Sequence, residues 1–223
     1  INKLTKFKTE EKRNTLMKIF KEVLSSDIQK KIGLFLEKIK LIPQKLNIPN
    51  QFYYGYCHND LNNSNILINS TNSSIRIIDY EYSSPNYIVY EFANIFNEMA
   101  MDYSYPNSPF FQYQIKKYPD KEFRLKIFQL YCFYSKFWNK NKEIIKFKEE
   151  AFPSEKDLID INTEYNQVIE GLEQGTEIAL VFSNFFWFLI AGLSLNKGDL
   201  GLDLYEYILM RYEFIVLFLE RNN

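Results

Sequence analysis

Residues 57–67 read CHNDLNNSNIL, and residues 77–82 read IIDYEY. Residues 65–69 and 74–78 form two runs rich in β-branched side chains. The polar residues 70–73 separate these runs. Apolar runs joined by a short polar segment predict a β-hairpin. Such a hairpin would bring Asn65 beside Asp79, although the two are far apart in the chain.

The polar residues around this hairpin have the order His-x-Asp, then Asn five positions after the Asp, then Asp after the hairpin. This order is that of the kinase catalytic loop. Phosphoryl transfer needs one carboxylate to receive or orient the attacking hydroxyl group, and we assign that role to Asp60. A second carboxylate and an amide oxygen hold Mg²⁺ against the nucleotide phosphates, which suits Asp79 and Asn65.

The competing interpretation is that Asp60 and its Asn neighbours only form turns and that Asp79 only caps the next segment. A hairpin that ends in two apolar residues and Asp is much less frequent by chance than the short motif alone. His58 is the only histidine, and no cluster of Cys and His could form a metal site with it. We therefore expect its ring to hydrogen-bond the backbone and support the loop.

Most of the remaining chain has helical periodicity. Apolar residues recur at helical spacing in two segments of the first 40 residues, with Ser25 to Asp27 as capping residues between them. We predict five further helices: 91–101, 120–139, 154–173, 176–195 and 202–221. The predicted fold is α+β and mostly α, with a helical lead-in at 1–50 and a helical lobe at 51–223 that carries the hairpin and the site.

Composition excludes several classes of protein. The chain of 223 residues has 27 Lys and Arg against 28 Asp and Glu, which argues against a nucleic-acid-binding domain. Two cysteines exclude a disulfide scaffold, so we expect a reducing, cytoplasmic environment. We expect no membrane span, because polar residues interrupt the longest apolar run, residues 178–195. The start is polar and has no signal-peptide pattern.

With these residues in view, the sequence resembles the choline/ethanolamine kinase family, whose relatives include protein kinases and aminoglycoside phosphotransferases. The resemblance extends over residues 53–220. Its motifs are the stretches 79–87, 91–98, 102–105, 109–111, 117–119 and 183–187. It implies the C-terminal lobe of a protein-kinase-like fold. The Gly-rich loop and strand Lys of the N-terminal nucleotide lobe are not found in this sequence, so we expect the chain to begin after that lobe.

The resemblance also implies roles for single residues. Asp60 corresponds to the catalytic base, and Asn65 and Asp79 correspond to the Mg²⁺ ligands, with Glu81 close to the metal. The residues that correspond to the amino-alcohol pocket are Glu98, Tyr103, Trp187 and Tyr207. Aromatic faces and a carboxylate suit a quaternary ammonium, which cannot donate hydrogen bonds. Without the resemblance, Trp187 and Tyr103 would be interpreted as core residues.

The sequence departs from the family at three positions. Ile190 stands where the family often has a second Trp, which weakens the aromatic enclosure of trimethylammonium. Glu91 replaces an Asp, and Asn184 replaces a His.

The expected function is ATP-dependent phosphorylation of choline, the first step toward phosphatidylcholine, with Mg²⁺ as cofactor. Ethanolamine kinase is the alternative within the family, favoured by Ile190, whereas residues 109–119 favour the choline branch. An aminoglycoside-type phosphotransferase is disfavoured by the Tyr and Trp residues. A non-catalytic pseudokinase scaffold is the alternative from another class. The expected partners are choline or ethanolamine and ATP, with no nucleic acid, and the resemblance implies a homodimer.

Overall fold

The computed structural model describes residues 10–141, 152–195 and 202–222. Most of these residues are helical, as predicted, and six short strands lie near the predicted site. The helices are α1 (Glu10–Val23), α2 (Ser26–Lys45), α3 (Ile88–Met99), α4 (Lys121–Asn141), α5 (Glu155–Glu164), α6 (Asn166–Ser194) and α7 (Leu204–Arg221). The strands are β1 (Tyr54–Cys57), β2 (Ile66–Ile68), β3 (Ile75–Ile77), β4 (Ser84–Tyr87), β5 (Met101–Asp102) and β6 (Gln112–Tyr113).

Helix α6 is the centre of the packing and contacts α2, α3, α4, α5 and α7. It contributes to two hydrophobic clusters. Leu172 belongs to the cluster with Tyr53 and Phe92, and Phe188 belongs to the cluster with Ile208 of α7. Because both clusters include α6, burial of its side chains stabilises the two halves of the core together.

The sequence prediction divided this region in the wrong place. It ended one helix at residue 173 and began the next at 176, whereas α6 runs through Gly175 and the break lies at Tyr165. A Cβ atom at position 175 would lie 2.3 Å from the Tyr53 hydroxyl oxygen and 2.7 Å from Val89 Cγ1. The glycine therefore allows close packing between α6 and its neighbours and does not end a helix.

By length and composition, α6 could cross a membrane, contrary to the expectation that no apolar run is long enough. In its most apolar 18-residue window, 39% is buried inside the structure. The helix also buries polar side chains, including Ser183 and Asn184, in contacts with α3 and α7. The structure thus uses α6 as a packed core helix, and the absence of a membrane span stays a prediction.

The two predicted N-terminal helices are present as α1 and α2. The Ser25 hydroxyl caps α2 by accepting a hydrogen bond from the Ile28 amide at 3.4 Å. Pro43 lies inside the last turn of α2, where it lacks the N–H that would otherwise bond the carbonyl oxygen of Ile39. Because α1 packs on α7 and α2 packs on α6, this lead-in shares the core of the remaining chain. The division at residue 50 stays a prediction.

The predicted hairpin is confirmed as the antiparallel pair β2–β3, with Ile66 opposite Ile77. A second pairing was not predicted: β4 pairs antiparallel with β1, with Cys57 opposite Ser84. The sequence of β4, Ser-Pro-Asn-Tyr, has no alternation of apolar and polar residues, and its proline is tolerated because β4 is an edge strand. Strand β1 precedes the hairpin in the chain and β4 follows it. The loop that carries Asp60 therefore begins where β1 ends, and the loop that carries Asp79 ends where β4 begins.

We expect Gly175→Ala to lower the free energy of unfolding by about 1–3 kcal/mol, because the added methyl group overpacks the Tyr53 contact. Gly33→Ala is the matched control, since the exposed Gly33 of α2 has no atom within 4 Å of its would-be Cβ. That change should raise stability by about 0.5–1 kcal/mol. Urea titration measures both values. Equal effects of the two substitutions would contradict the proposed close packing at Gly175.

Candidate active site

The loops that follow β1 and β3 are joined through the main chain of Ile78. The Ile78 amide donates to the Asn65 carbonyl oxygen at 3.0 Å, and the Ile78 carbonyl oxygen lies 2.9 Å from His58 Nε2. Asp79 is the next residue, so these two bonds place Asn65 and Asp79 on neighbouring backbone segments. The proximity that the sequence predicted for this pair therefore arises from the hairpin.

The His58 ring has one tautomer that satisfies both of its contacts. A carbonyl oxygen only accepts, so Nε2 carries the proton that is donated to Ile78. The other nitrogen, Nδ1, accepts from the Asp60 amide at 3.3 Å. The ring thus connects the backbone at Asp60 with the backbone beside Asp79. Support of the catalytic loop by His58 stays a prediction, and these contacts are compatible with it.

Asp60 is 6% exposed and receives a hydrogen bond on each carboxylate oxygen. Asn62 Nδ2 donates to Oδ1 at 3.1 Å, and Asn65 Nδ2 donates to Oδ2 at 3.0 Å. Burial is the largest influence on this group and raises the pKa of Asp60 to about 6, although the Asn62 hydrogen bond opposes the shift. A carboxylate with a pKa near 6 is still mostly ionised at pH 7 and is a stronger base than an exposed Asp.

The arrangement of Asn65 and Asp79 fits a magnesium ion. Because Asn65 Nδ2 donates to two oxygens of Asp60, the Asn65 amide oxygen is the atom left to face a cation. Asp79 is exposed and has a φ of 63°, a left-handed conformation that Asp tolerates. Glu81 is also exposed, in the turn after Asp79. Among the described residues, no three His, Cys, Asp or Glu form a metal-binding group, and Mg²⁺ typically uses one or two carboxylates with substrate phosphates.

Helix α3 holds the catalytic loop through Glu91, which the sequence analysis had noted only as a substitution. Glu91 Oε2 accepts from the Asn59 amide at 3.0 Å. Asn59 has a φ of 67°, and its side-chain amide donates to the Tyr82 carbonyl oxygen at 2.9 Å and the Ser84 hydroxyl at 3.0 Å. The residue between His58 and Asp60 is therefore fixed to both neighbouring segments. Burial raises the pKa of Glu91.

One cavity of about 390 Å³ adjoins Asp60 and contains every predicted pocket residue. Its wall includes Glu98, three aromatic residues and one aliphatic residue. The aromatic residues are Tyr103, Trp187 and Tyr207, and the aliphatic residue is Ile190. They come from α3, α6, α7 and the segment after β5, so the fold assembles residues that are distant in sequence. Their binding roles stay predictions, and the shared cavity is compatible with those roles.

Trp187 is held in place by polar and aromatic neighbours. Its indole Nε1 donates to Asn94 Oδ1 at 2.8 Å, and the same oxygen accepts from the Ser183 hydroxyl at 3.1 Å. The Tyr82 ring meets the indole at 5.8 Å between centroids, in an edge-to-face arrangement. Asn94 and Tyr82 were not predicted as neighbours of the pocket. The family-like stretches 79–82 and 91–98 contained both residues and were the available signal.

Glu98 is not a free carboxylate, which changes the expected electrostatics of the pocket. Arg211 Nη2 donates to Glu98 Oε1 at 2.8 Å, and the Tyr103 hydroxyl donates to Oε2 at 2.8 Å. Arg211 is 0% exposed and was missed by the sequence analysis. Its position four residues after Tyr207, on the same face of α7, was the signal that could have identified it.

A helical lobe with this catalytic hairpin and an adjoining polar–aromatic cavity defines a protein-kinase-like phosphotransferase fold. A sequence model of the choline/ethanolamine kinase family matches residues 2–216. The chain belongs to the choline/ethanolamine kinase family. The family and the fold class that the sequence predicted are thereby confirmed.

Individual relatives agree with this assignment. The chain is 31% identical to probable choline kinase 3 of Arabidopsis thaliana over 195 residues, which are 86% of this chain and 48% of that protein. It is 30% identical to choline kinase alpha of Mus musculus, covering 82% of this chain and 36% of the relative. It is 28% identical to a probable ethanolamine kinase of Nematostella vectensis, covering 86% and 46%. The chain thus spans less than half the length of these relatives.

Two solved structures show the same fold. A choline kinase from Cryptosporidium parvum aligns with a TM-score of 0.55 at 21% identity, covering 86% of this chain and 50% of that one. An ethanolamine kinase from Plasmodium vivax aligns with a TM-score of 0.54 at 20% identity, covering 95% and 44%.

Proposed function

We propose that the protein transfers the γ-phosphoryl group of ATP to the hydroxyl oxygen of choline, giving phosphocholine and ADP. The observation that carries this proposal is the single cavity that Asp60 shares with the aromatic side chains. A catalytic carboxylate is useful only where a substrate hydroxyl can reach it. An aromatic wall in the same cavity supplies the complementary site for the cationic end of the same small molecule.

Asp60 is proposed to accept the hydroxyl proton as the substrate oxygen bonds to the γ-phosphorus and the bond to the β-phosphate oxygen breaks. The hydrogen bonds from Asn62 and Asn65 fix the direction of its carboxylate oxygens. Because phosphoryl transfer relies on positioning and electrostatic stabilisation, a fixed base is more effective than a mobile one.

Asn65 and Asp79 are proposed to hold Mg²⁺ through oxygen ligands, with Glu81 near the metal. The ion would neutralise charge on the nucleotide phosphates. The backbone bond between Ile78 and Asn65 supports this assignment, because it keeps the two ligand-bearing segments together. The presence of all three polar residues also disfavours a non-catalytic scaffold, which would need none of them.

Choline is preferred over other acceptors because the walls offer ring faces to a group without N–H donors. Each cation–π contact contributes about 0.5–2 kcal/mol. An aminoglycoside carries several ammonium groups and would require a more acidic cavity. Ethanolamine is the second candidate, and the aliphatic Ile190 at the wall favours it.

The biological setting is part of the proposal. Phosphocholine formation would be the first step of phosphatidylcholine synthesis in the cytoplasm, and a homodimer is the assembly that family membership suggests.

We expect Asp60→Ala in the full-length protein to abolish phosphoryl transfer and leave Mg-ATP binding largely intact, because only the proton acceptor is lost. Asp60→Asn tests the charge alone, without a cavity. Steady-state kinetics and calorimetric titration with Mg-ATP measure the two properties. Retention of more than about a tenth of kcat would mean a loss below ~1.4 kcal/mol, and Asp60 would then not be the base.

We expect Asp79→Asn to weaken Mg²⁺-dependent nucleotide binding and activity together, because an amide lacks the charge of the carboxylate ligand. Glu81→Gln should have a smaller effect of the same kind. Asp160→Asn, on the exposed surface of α5, controls for the loss of one negative charge. The measurement is activity against Mg²⁺ concentration at fixed ATP. An unchanged Mg²⁺ titration in Asp79→Asn would remove this residue from the metal site.

We expect Trp187→Ala to raise KM for choline more than for ethanolamine, by roughly fivefold for one aromatic wall. A primary ammonium can still donate hydrogen bonds to other acceptors of the cavity wall, whereas trimethylammonium has no N–H donor and depends on ring faces. Ile190→Trp should selectively lower KM for choline. The measurement is kcat/KM for both amino alcohols.

The control for the Trp187 experiment is Phe188→Ala, which truncates a fully buried α6 residue outside the cavity. It should lower stability without changing the preference between the two substrates. If Trp187→Ala affects both substrates equally, as Phe188→Ala is expected to do, the indole is a core residue and the cation site lies elsewhere.

A further inference from the structure

Arg211 is the buried centre of a hydrogen-bond network beside the cavity. It is 0% exposed and its guanidinium reaches three acceptors on three helices. Nη1 donates to Asn184 Oδ1 on α6 at 3.1 Å, and Nη2 donates to Glu98 Oε1 on α3 at 2.8 Å and to the Tyr207 hydroxyl on α7 at 2.7 Å. A planar guanidinium with fixed donor directions can hold such a set, which a Lys ammonium cannot reproduce.

Two of the three acceptors line the cavity, although Arg211 itself does not. Glu98 and Tyr207 are cavity residues, and Arg211 touches both. The guanidinium carbon also lies 4.8 Å from the centroid of the Tyr207 ring. Any effect of Arg211 on a bound molecule is therefore exerted through these two side chains, by fixing their positions and by changing their charge.

The charge effect is specific to Glu98. The ion pair cancels its negative charge, and the second carboxylate oxygen already accepts from the Tyr103 hydroxyl at 2.8 Å. A primary ammonium has three N–H donors and is strongly hydrated, so it needs free acceptors and a net negative partner on entering the cavity. A quaternary ammonium has no N–H donor and loses nothing when Glu98 is already paired.

We propose that Arg211 is a positioning residue that sets the preference between ammonium headgroups: by neutralising Glu98 and fixing Tyr207, it biases the cavity toward quaternary and against primary ammonium. This inference rests on the proposed function. It assigns the headgroup preference to a residue outside the cavity, in addition to the aromatic walls and Ile190.

The test compares Arg211→Met with the wild type in the full-length protein, using kcat/KM for choline and for ethanolamine. Met retains much of the side-chain length without charge or donors. We expect the choline-to-ethanolamine ratio to fall by about fivefold, because the released Glu98 oxygen can accept from a primary ammonium. KM for Mg-ATP should not change. Arg211→Lys keeps the positive charge and should shift the ratio in the same direction by a smaller factor, which provides a second variant if Arg211→Met does not fold.

Two further variants separate positioning from structural support. Asn97→Ala removes the 3.2 Å bond from Asn97 Nδ2 to Asn184 Oδ1, which belongs to the same network but does not involve the side chains of Glu98 and Tyr207. It should lower the unfolding midpoint without changing the ratio. In a Glu98→Gln background, Arg211→Met should shift the ratio much less, because the charge effect acts through Glu98 and only the contact with Tyr207 is left to lose.

Failure of this inference can be distinguished from failure of the proposed function. If the wild type phosphorylates either amino alcohol and the ratio stays within twofold in both Arg211 variants, Arg211 is structural and the inference is overturned. If the wild type phosphorylates neither, the proposed function is wrong, and calorimetric binding of tetramethylammonium and methylammonium tests the same preference. A wild-type preference for tetramethylammonium that Arg211→Met reduces would support the inference, and equal binding of both cations by wild type and variant would overturn it.

Discussion

The two main-chain hydrogen bonds of Ile78 are the constraint on which the candidate site depends. In one bond the Ile78 amide donates to the Asn65 carbonyl oxygen, and in the other the Ile78 carbonyl oxygen accepts from the His58 ring. A carboxylate and an amide oxygen can share a metal ion readily only if their backbones are held at a set distance. Without that restraint, each binding event would have to order both side chains, at a cost in conformational entropy. The hairpin provides this spacing with local contacts, and His58 transmits it to the backbone of Asp60.

A second network, of buried polar side chains, joins α3, α6 and α7 behind the cavity. Asn94 accepts from Trp187, Asn184 accepts from Asn97, and Arg211 connects α7 to both of the other helices. Purely apolar helix faces can pack in several neighbouring registers, whereas a shift in register would break these polar pairs and leave their members buried without partners. The choice of packing register matters most for α6, because this helix is apolar enough for either a membrane or a protein core. Its polar positions determine which face meets the cavity.

The parts of the structure that the sequence predicted are those with local signals. The hairpin, the capped N-terminal helices and the order of Asp60, Asn65 and Asp79 all depend on residues close in the chain. Glu91, Asn94 and Arg211 were missed because their partners lie 32, 93 and 113 positions away. Strand β4 was missed because its pairing with β1 carries no alternation, and the α6 boundary was misplaced because Gly175 serves packing. Long-range contacts of this kind depend on how helices pack, which a pattern along one chain does not specify.

The partners of Glu98 and Asp60 determine how charge is distributed around the cavity. Glu98 is paired with a guanidinium, whereas the Asp60 carboxylate receives its hydrogen bonds from the neutral side-chain amides of Asn62 and Asn65. The charge of Glu98 is among the influences that raise the pKa of Asp60, because like charges disfavour each other's ionised forms. Arg211 thus places a positive charge beside Glu98, and no such ion pair is formed by Asp60, which lines the same cavity, among the described residues. Under the proposed function, the aromatic residues of this cavity would hold the cationic group of a small molecule, and its hydroxyl group would meet the carboxylate of Asp60.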